Sequence, residues 1–114
     1  MLCAGAAVCV GAVGAHAFRD AGDMRGAELM VTAGQYLMWH SLAVLVFWCL
    51  PGRYGWPSLL LLGSSIVFAG TLVLLALGAP GWLGIVTPFG GAGMIAGWLA
   101  AAWVAVRSRP APGR

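Results

Sequence analysis

Charged residues are scarce in this chain of 114 residues: they make up 8% of it, as three acids, six arginines and no lysine. A soluble domain carries about 25% charged residues, because its surface must be hydrated. With 61% of the residues hydrophobic, too few polar side chains remain to cover such a surface. The composition excludes a soluble globular protein and indicates an integral membrane protein. The net charge of +3 is too small and scattered to predict a nucleic-acid partner.

The chain also lacks paired cysteines. Cys3, Cys9 and Cys49 lie inside apolar runs rather than in loops, and no C-x-x-C pair occurs. We interpret all three as small buried packing residues. We predict no metal site, no cofactor and no catalytic residue.

Four charge-poor apolar stretches have the length of a membrane-spanning helix. The predicted helices are about 1–18, 23–50, 57–77 and 88–106, followed by a short arginine-containing tail, 107–114. The connections are so brief that consecutive helices must be antiparallel neighbours. The fold class is therefore an all-α membrane protein, a four-transmembrane-helix antiparallel bundle in one domain spanning 1–114. Tyr54, Trp56 and Trp82 fall at helix ends, where such rings prefer the headgroup region.

The first stretch has a competing interpretation as a signal peptide, because it ends in Ala15-His16-Ala17, an A-x-A pattern. It lacks a basic start and carries glycines and a histidine where a signal core has leucines, so we favour a membrane-spanning helix. At 1.5 Å per residue it covers only about 27 Å, which leaves open a start codon further upstream.

The arginines predict an orientation. If both termini face one side, that side holds Arg53, Arg107, Arg109 and Arg114, and the other holds Arg19 and Arg25 with all three acids. The positive-inside rule then places both termini in the cytoplasm. We expect a multi-pass protein of the bacterial inner (cytoplasmic) membrane.

Small residues predict where the helices touch, because transmembrane helices associate through close backbone approach. The first helix has Ala7, Gly11 and Ala15 at four-residue spacing, and the fourth has Gly93 and Gly97. We expect both sets to form contacts inside the bundle rather than a dimer face.

The second helix carries a polar arc about 140° wide, at 100° per residue. Its members are Glu28, Thr32, Gln35, Tyr36, Trp39 and His40. Such an arc is costly in lipid, so we expect it to face the bundle interior, a water-filled cavity or another subunit.

The sequence leaves two interpretations of His40 open. It is either a proton-relay or ligand site, or a neutral imidazole bonded to Tyr36, Gln35 or a neighbouring helix. For His16, at the wet end of the first helix, a structural role is favoured. A haem or metal shared by the two histidines is disfavoured, because His40 is expected about 15 Å deeper than His16.

A second candidate site combines His16 with the start of the fourth helix. Thr87, Gly90 and Gly91 begin that helix with bare backbone on the side of the membrane where His16 lies. Free N–H groups there could hold a carbonyl or an anionic headgroup. A tight turn into the helix is the favoured explanation.

Four motifs in order resemble domain-of-unknown-function family 423, the bacterial relatives of eukaryotic transmembrane protein 256. They are Gly11-Ala12-Val13-Gly14-Ala15-His16, Gln35-Tyr36-Leu37-Met38-Trp39-His40, Phe68-Ala69-Gly70-Thr71, and Thr87-Pro88-Phe89-Gly90-Gly91 with Gly97-Trp98. The resemblance implies a small multi-helix membrane protein and no established activity. Ala17 stands where the family pattern usually has glycine.

The leading functional hypothesis is a non-catalytic accessory or scaffold subunit of a larger membrane complex, or a lipid-binding protein. The alternative is a small proton-coupled transporter with Glu28, Tyr36 and His40 as a relay, and a haem or quinone redox protein ranks last. Beyond His40 the second helix continues through residues 42–47 without a polar group in reach. Since a transporter needs a continuous polar path through the membrane, this apolar stretch favours a binding role over transport.

Overall fold

Four helices make up most of residues 1–109, the part of the chain that the computed structural model describes. They are α1, Leu2–Asp20; α2, Met24–Cys49; α3, Gly55–Ala76; and α4, Thr87–Arg107, which follows a short 3₁₀ helix, Gly81–Ile85. Each of the four is long and apolar enough to cross a membrane. The predicted all-α, four-helix membrane fold is confirmed, with helix ends shifted by at most two residues. Arg107 closes α4 instead of starting the tail, and residues 110–114 lie outside the described part.

The helix ends follow the local chemistry of the sequence. Asp23 caps α2, since its Oδ1 accepts a hydrogen bond from the backbone N–H of Gly26 at 2.9 Å. Leu50 leaves the helix in an extended conformation, as the residue before Pro51 must. Gly78 ends the turn after α3 with a φ of +89°, which other residues rarely adopt.

The first pair of helices packs through the predicted small residues. Ala7 and Ala15 of α1 are buried, and a Cβ added to Gly34 of α2 would lie 2.8 Å from the Cα of Gly11. The segment Cys9–Gly14 of α1 is wound as a π-helix at this contact. The two backbones therefore touch directly, and no side chain fits between them.

The other glycine face joins α4 to α3. A Cβ on Gly90 would lie 2.8 Å from the backbone N of Phe68. Gly93 and Gly97 leave the space that Ser64 and Leu61 fill. Both predicted small-residue faces are thus contacts inside the chain.

The principal contacts run in chain order, α1 with α2, α2 with α3, and α3 with α4. Within residues 1–109, α1 and α4 do not close the ring, so each helix keeps a broad face on the outside. Cys9 and Cys49 lie on this outer surface, so the prediction that they are buried is wrong. Tyr54, at the start of α3, is buried and stacked on Phe47.

Candidate functional site

The polar arc of α2 is divided by the fold between the inside and the outside of the bundle. His40 is buried, with 5% of its surface exposed. Thr32 and Tyr36 are half-buried, whereas Glu28, Gln35 and Trp39 are exposed. The face of α2 that is most deeply buried is apolar and small, and lies beside the arc. Its members include Ala27, Met30, Ala33, Gly34 and Leu37.

The arc is turned outward because close packing decides which face of α2 meets its neighbours. Gly34 admits the backbone of α1. Ala33 and Leu37 form a core cluster with Ala7 of α1 and Ala69 of α3. A bulky polar residue in place of Gly34 would hold the helices apart, so the polar residues of the arc other than His40 are left at the edge and outside.

His40 uses both ring nitrogens. Its Nδ1 lies 2.7 Å from the backbone O of Tyr36, one turn earlier. Its Nε2 lies 3.2 Å from Nε1 of Trp98 on α4. The indole N–H can only donate, so Nε2 is the acceptor and the proton sits on Nδ1, which donates to the carbonyl. The bonding pattern defines a neutral imidazole in one tautomer.

This arrangement leaves no lone pair on His40 for another ligand. A metal or haem iron would have to take Nε2 from Trp98 and leave the indole N–H without an acceptor. Within residues 1–109, no three His, Cys, Asp or Glu side chains lie close enough to hold a metal ion. The donor set that the structure brings together does not fit a metal centre.

Trp98 is the residue that sequence reasoning missed at this site. It lies nine residues before the end of α4, and His40 lies nine residues before the end of α2. Both helices end on the same side, so the two side chains are at matching depth. The sequence did offer one indication. Trp98 lies within a predicted membrane span, where its indole N–H needs a hydrogen-bond acceptor.

Aromatic rings surround the imidazole. The ring of Tyr36 stacks on His40 with 6.1 Å between centroids and an interplanar angle of 11°, and it also packs against Phe68 of α3 at 4.9 Å. Phe47 meets Trp98 edge to face at 5.6 Å. The expected bond to a neighbouring helix is present, but Tyr36 contributes its carbonyl rather than its hydroxyl, and Gln35 points elsewhere.

Two serine hydroxyls lie buried near the centre and the loop end of the bundle. The Oγ atoms of Ser41, next to His40, and of Ser58, in the first turn of α3, have no hydrogen-bond partner among residues 1–109. The expectation that no polar group lies beyond His40 is therefore incomplete, because it overlooked Ser41 and considered only α2.

The residues of the second candidate site are not brought together. His16 is exposed on α1, which packs against α2. The hydroxyl of Thr87 instead donates to Oγ1 of Thr71 on α3 at 2.9 Å. Gly90 is packed on Phe68, and Gly91 is half-buried beside it.

The backbone at the start of α4 is not bare. The N–H groups of Phe89 and Gly90 both donate to the carbonyl of Val86, at 3.0 and 3.4 Å. Val86 lies between the 3₁₀ helix and α4, and its carbonyl occupies these two donors. The N–H groups of Phe89 and Gly90 are therefore not free to hold a ligand, which favours the interpretation of this segment as a tight turn into the helix.

Comparisons with known proteins agree with this architecture. Residues 10–91 match the family described as "Protein of unknown function (DUF423)". A UPF0382 membrane protein of Staphylococcus epidermidis is 36% identical over 97 residues, covering 82% of this chain and 80% of the relative.

Similar proteins occur outside the staphylococci. UPF0382 membrane protein C1782.12c of Schizosaccharomyces pombe is 36% identical over 99 residues, covering 80% of this chain and 84% of the relative. UPF0382 membrane protein YwdK of Bacillus subtilis is 29% identical over 110 residues, covering 89% and 87%. No solved structure matches the chain. With four helices able to span a membrane, and with relatives named as membrane proteins, the chain belongs to the DUF423 family of membrane proteins of unknown function.

Proposed function

We propose that this protein is a non-catalytic accessory subunit that binds a transmembrane helix of a larger membrane complex. The binding surface is the outer face of α2, a row of outward residues spaced alternately by four and three positions. The row consists of Glu28, Thr32, Gln35, Trp39, Leu42 and Val46.

The exposed side chain of Gln35 is the observation that supports this proposal. It lies 11 residues after the start of α2 and is exposed, which is about 16 Å into the helix. Its amide can form several hydrogen bonds, and within residues 1–109 its side chain makes none. Hydrocarbon offers no partner at that depth, so burial in lipid costs free energy that a polar group on another helix offsets.

The spacing of the outer face suits a helical partner. Residues that alternate by four and three positions form a straight seam along a helix, the pattern by which two helices pack side by side. Thr32 and Gln35 are hydrogen-bonding residues at its centre, and Trp39 supplies a large ring that is 55% exposed. A lipid chain fits along such a seam, but it has no polar group that can hydrogen-bond the Gln35 amide.

The buried hydroxyls of Ser41 and Ser58 favour a second function, proton-coupled transport. A carrier needs a ring nitrogen that can accept a proton, yet Nδ1 of His40 already holds one and Nε2 accepts from Trp98. The accessory-subunit proposal therefore predicts that proteoliposomes show no proton flux above that of His40→Leu proteoliposomes. A flux that disappears in His40→Leu would establish transport instead.

The membrane and the orientation are part of the proposal. The α2–α3 connection and the end of α4 carry Arg53, Arg107 and Arg109, whereas the opposite side mixes Arg19 and Arg25 with all three acids. This asymmetry supports the cytoplasmic membrane of a bacterium, with both termini in the cytoplasm.

Native electrophoresis of membranes solubilised in a mild detergent tests the proposal. The parent should migrate in an assembly larger than its own 11.7 kDa, and mass spectrometry of the purified assembly should identify the other subunit. Gln35→Leu should release the chain from it, whereas Leu99→Ala, on the exposed face of α4, should not. A parent that migrates alone, or a Gln35→Leu chain that stays in the assembly, would contradict the proposal.

A further inference from the structure

An open groove lies at the loop end of the bundle, between the α2–α3 connection and the end of α4. It has a volume of about 440 Å³, within the range of small-molecule sites. The lining residues are Gly52, Arg53, Trp56, Trp103, Val104, Arg107 and Ser108.

The groove is positively charged, and within residues 1–109 no acidic side chain lines it. Arg53 and Arg107 both line it, while the acidic side chains of the chain lie at Asp20, Asp23 and Glu28, at the other end of the helices. Two arginines that line one groove, with no acidic side chain among the other lining residues, suit an anion, and the planar N–H pairs of a guanidinium match the oxygens of a phosphate.

The walls of the groove are apolar. Trp56 and Trp103 are each more than half exposed, and both stand near helix ends, where tryptophan side chains prefer the membrane interface. The Cζ atom of Arg107 lies 4.1 Å from the centre of the Trp103 ring, a cation–π contact that holds the guanidinium against the wall. A ligand for this groove needs an anionic head and an apolar body.

From this geometry we propose that the groove binds an anionic phospholipid, with its phosphate between Arg53 and Arg107 and the start of its chains against Trp56 and Trp103. The hydroxyl of Ser108 adds a donor at the rim. The groove is separate from the outer face of α2, so this inference stands independently of the accessory-subunit proposal.

Native mass spectrometry of the full chain in detergent, titrated with defined lipids, tests the site. Phosphatidylglycerol should bind about tenfold more tightly than zwitterionic phosphatidylcholine, since each basic residue near an anionic lipid adds a few-fold in affinity. The double variant Arg53→Gln with Arg107→Gln should lose that preference. Arg53→Lys with Arg107→Lys should retain most of it, because the charges remain.

The matched control removes the same charge from the other membrane face. Arg19→Gln with Arg25→Gln should bind phosphatidylglycerol as the parent does, and circular dichroism should show equal helix content in all variants. Two results would contradict the proposed site. One is equal affinity of the parent for the two lipids, and the other is an equal loss of the preference for phosphatidylglycerol in the groove variant and in the Arg19→Gln, Arg25→Gln control. Saturation by inorganic phosphate at millimolar concentration without lipid selectivity would overturn its assignment to a lipid.

Discussion

His40 and Gln35 are polar residues of one helix whose surroundings differ completely. His40 has each ring nitrogen bonded inside the chain, to Tyr36 and to Trp98. Gln35, five positions earlier, is exposed and unbonded within the described residues. At the residue scale we therefore propose that His40 stabilises the bundle and that Gln35 contacts an external partner.

His40→Leu should lower stability by about 1 to 2 kcal/mol, because the indole N–H of Trp98 loses its acceptor in a dry site. His16→Leu should cost less, since His16 is exposed near the interface. Thermal unfolding of both variants in one detergent provides the comparison.

A double-mutant cycle measures the interaction free energy between His40 and Trp98. Trp98→Phe removes the donor, so His40→Leu should cost less in that background than in the parent. Additive losses would show that the imidazole and the indole are not coupled. If His40→Leu is as stable as the parent while cells lose a phenotype, His40 is a working site rather than a structural one.

Some side-chain roles were readable from the sequence and others were not. Asp23 could be identified as a cap because its bond to Gly26 is local. The partner of His40 could not, since Trp98 is 58 positions away and only the packing of the helices brings the two together. The outward position of Gln35 was equally hidden, because Gly34 decides which face of α2 is buried.

At the scale of the elements, the α1–α2 contact depends on one glycine. Gly34→Ala should destabilise the protein by about 1 to 3 kcal/mol, because its Cβ would meet the backbone of α1 and the helices must separate. Gly63→Ala on α3 is the matched control, with open space around its Cβ.

Thermal unfolding of these two alanine variants should separate them clearly. Gly63→Ala should be as stable as the parent or slightly more stable, because alanine favours the helix. Equal stability of Gly34→Ala and Gly63→Ala would contradict the direct backbone contact.

The extent of each helix was well predicted, since long apolar runs bounded by proline, glycine and a capping acid have few alternatives. The start of α4 was interpreted less well. The 3₁₀ helix Gly81–Ile85 has no strong sequence signal. Val86, directly after it, supplies the carbonyl that accepts from the N–H groups of Phe89 and Gly90.

At the scale of the whole molecule, four antiparallel helices and an arginine asymmetry predict one orientation. Reporter fusions after Arg109 and after Gly22 should place the first site in the cytoplasm and the second outside. The reverse pattern of reporter activity would show that the protein has the opposite orientation, with the proposed phospholipid groove at the outer surface.

The open arrangement of the helices connects the fold to the proposed role. A chain whose helices meet mainly in sequence order leaves wide faces uncovered, and one of them carries the Gln35 amide, 11 residues after the start of α2. The sequence predicted four antiparallel helices but not this openness, which depends on how few contacts α1 and α4 make with each other.

Photocrosslinking in intact membranes tests the central claim most directly. A photoreactive amino acid placed at Leu42, which is exposed on the outer face of α2 and leaves Gln35 in place, should form one discrete adduct with a different membrane protein. The same probe at Ile95, on the exposed face of α4, should not. Adducts with lipid alone, or with a second copy of this chain, would contradict an accessory subunit that binds its complex through the outer face of α2.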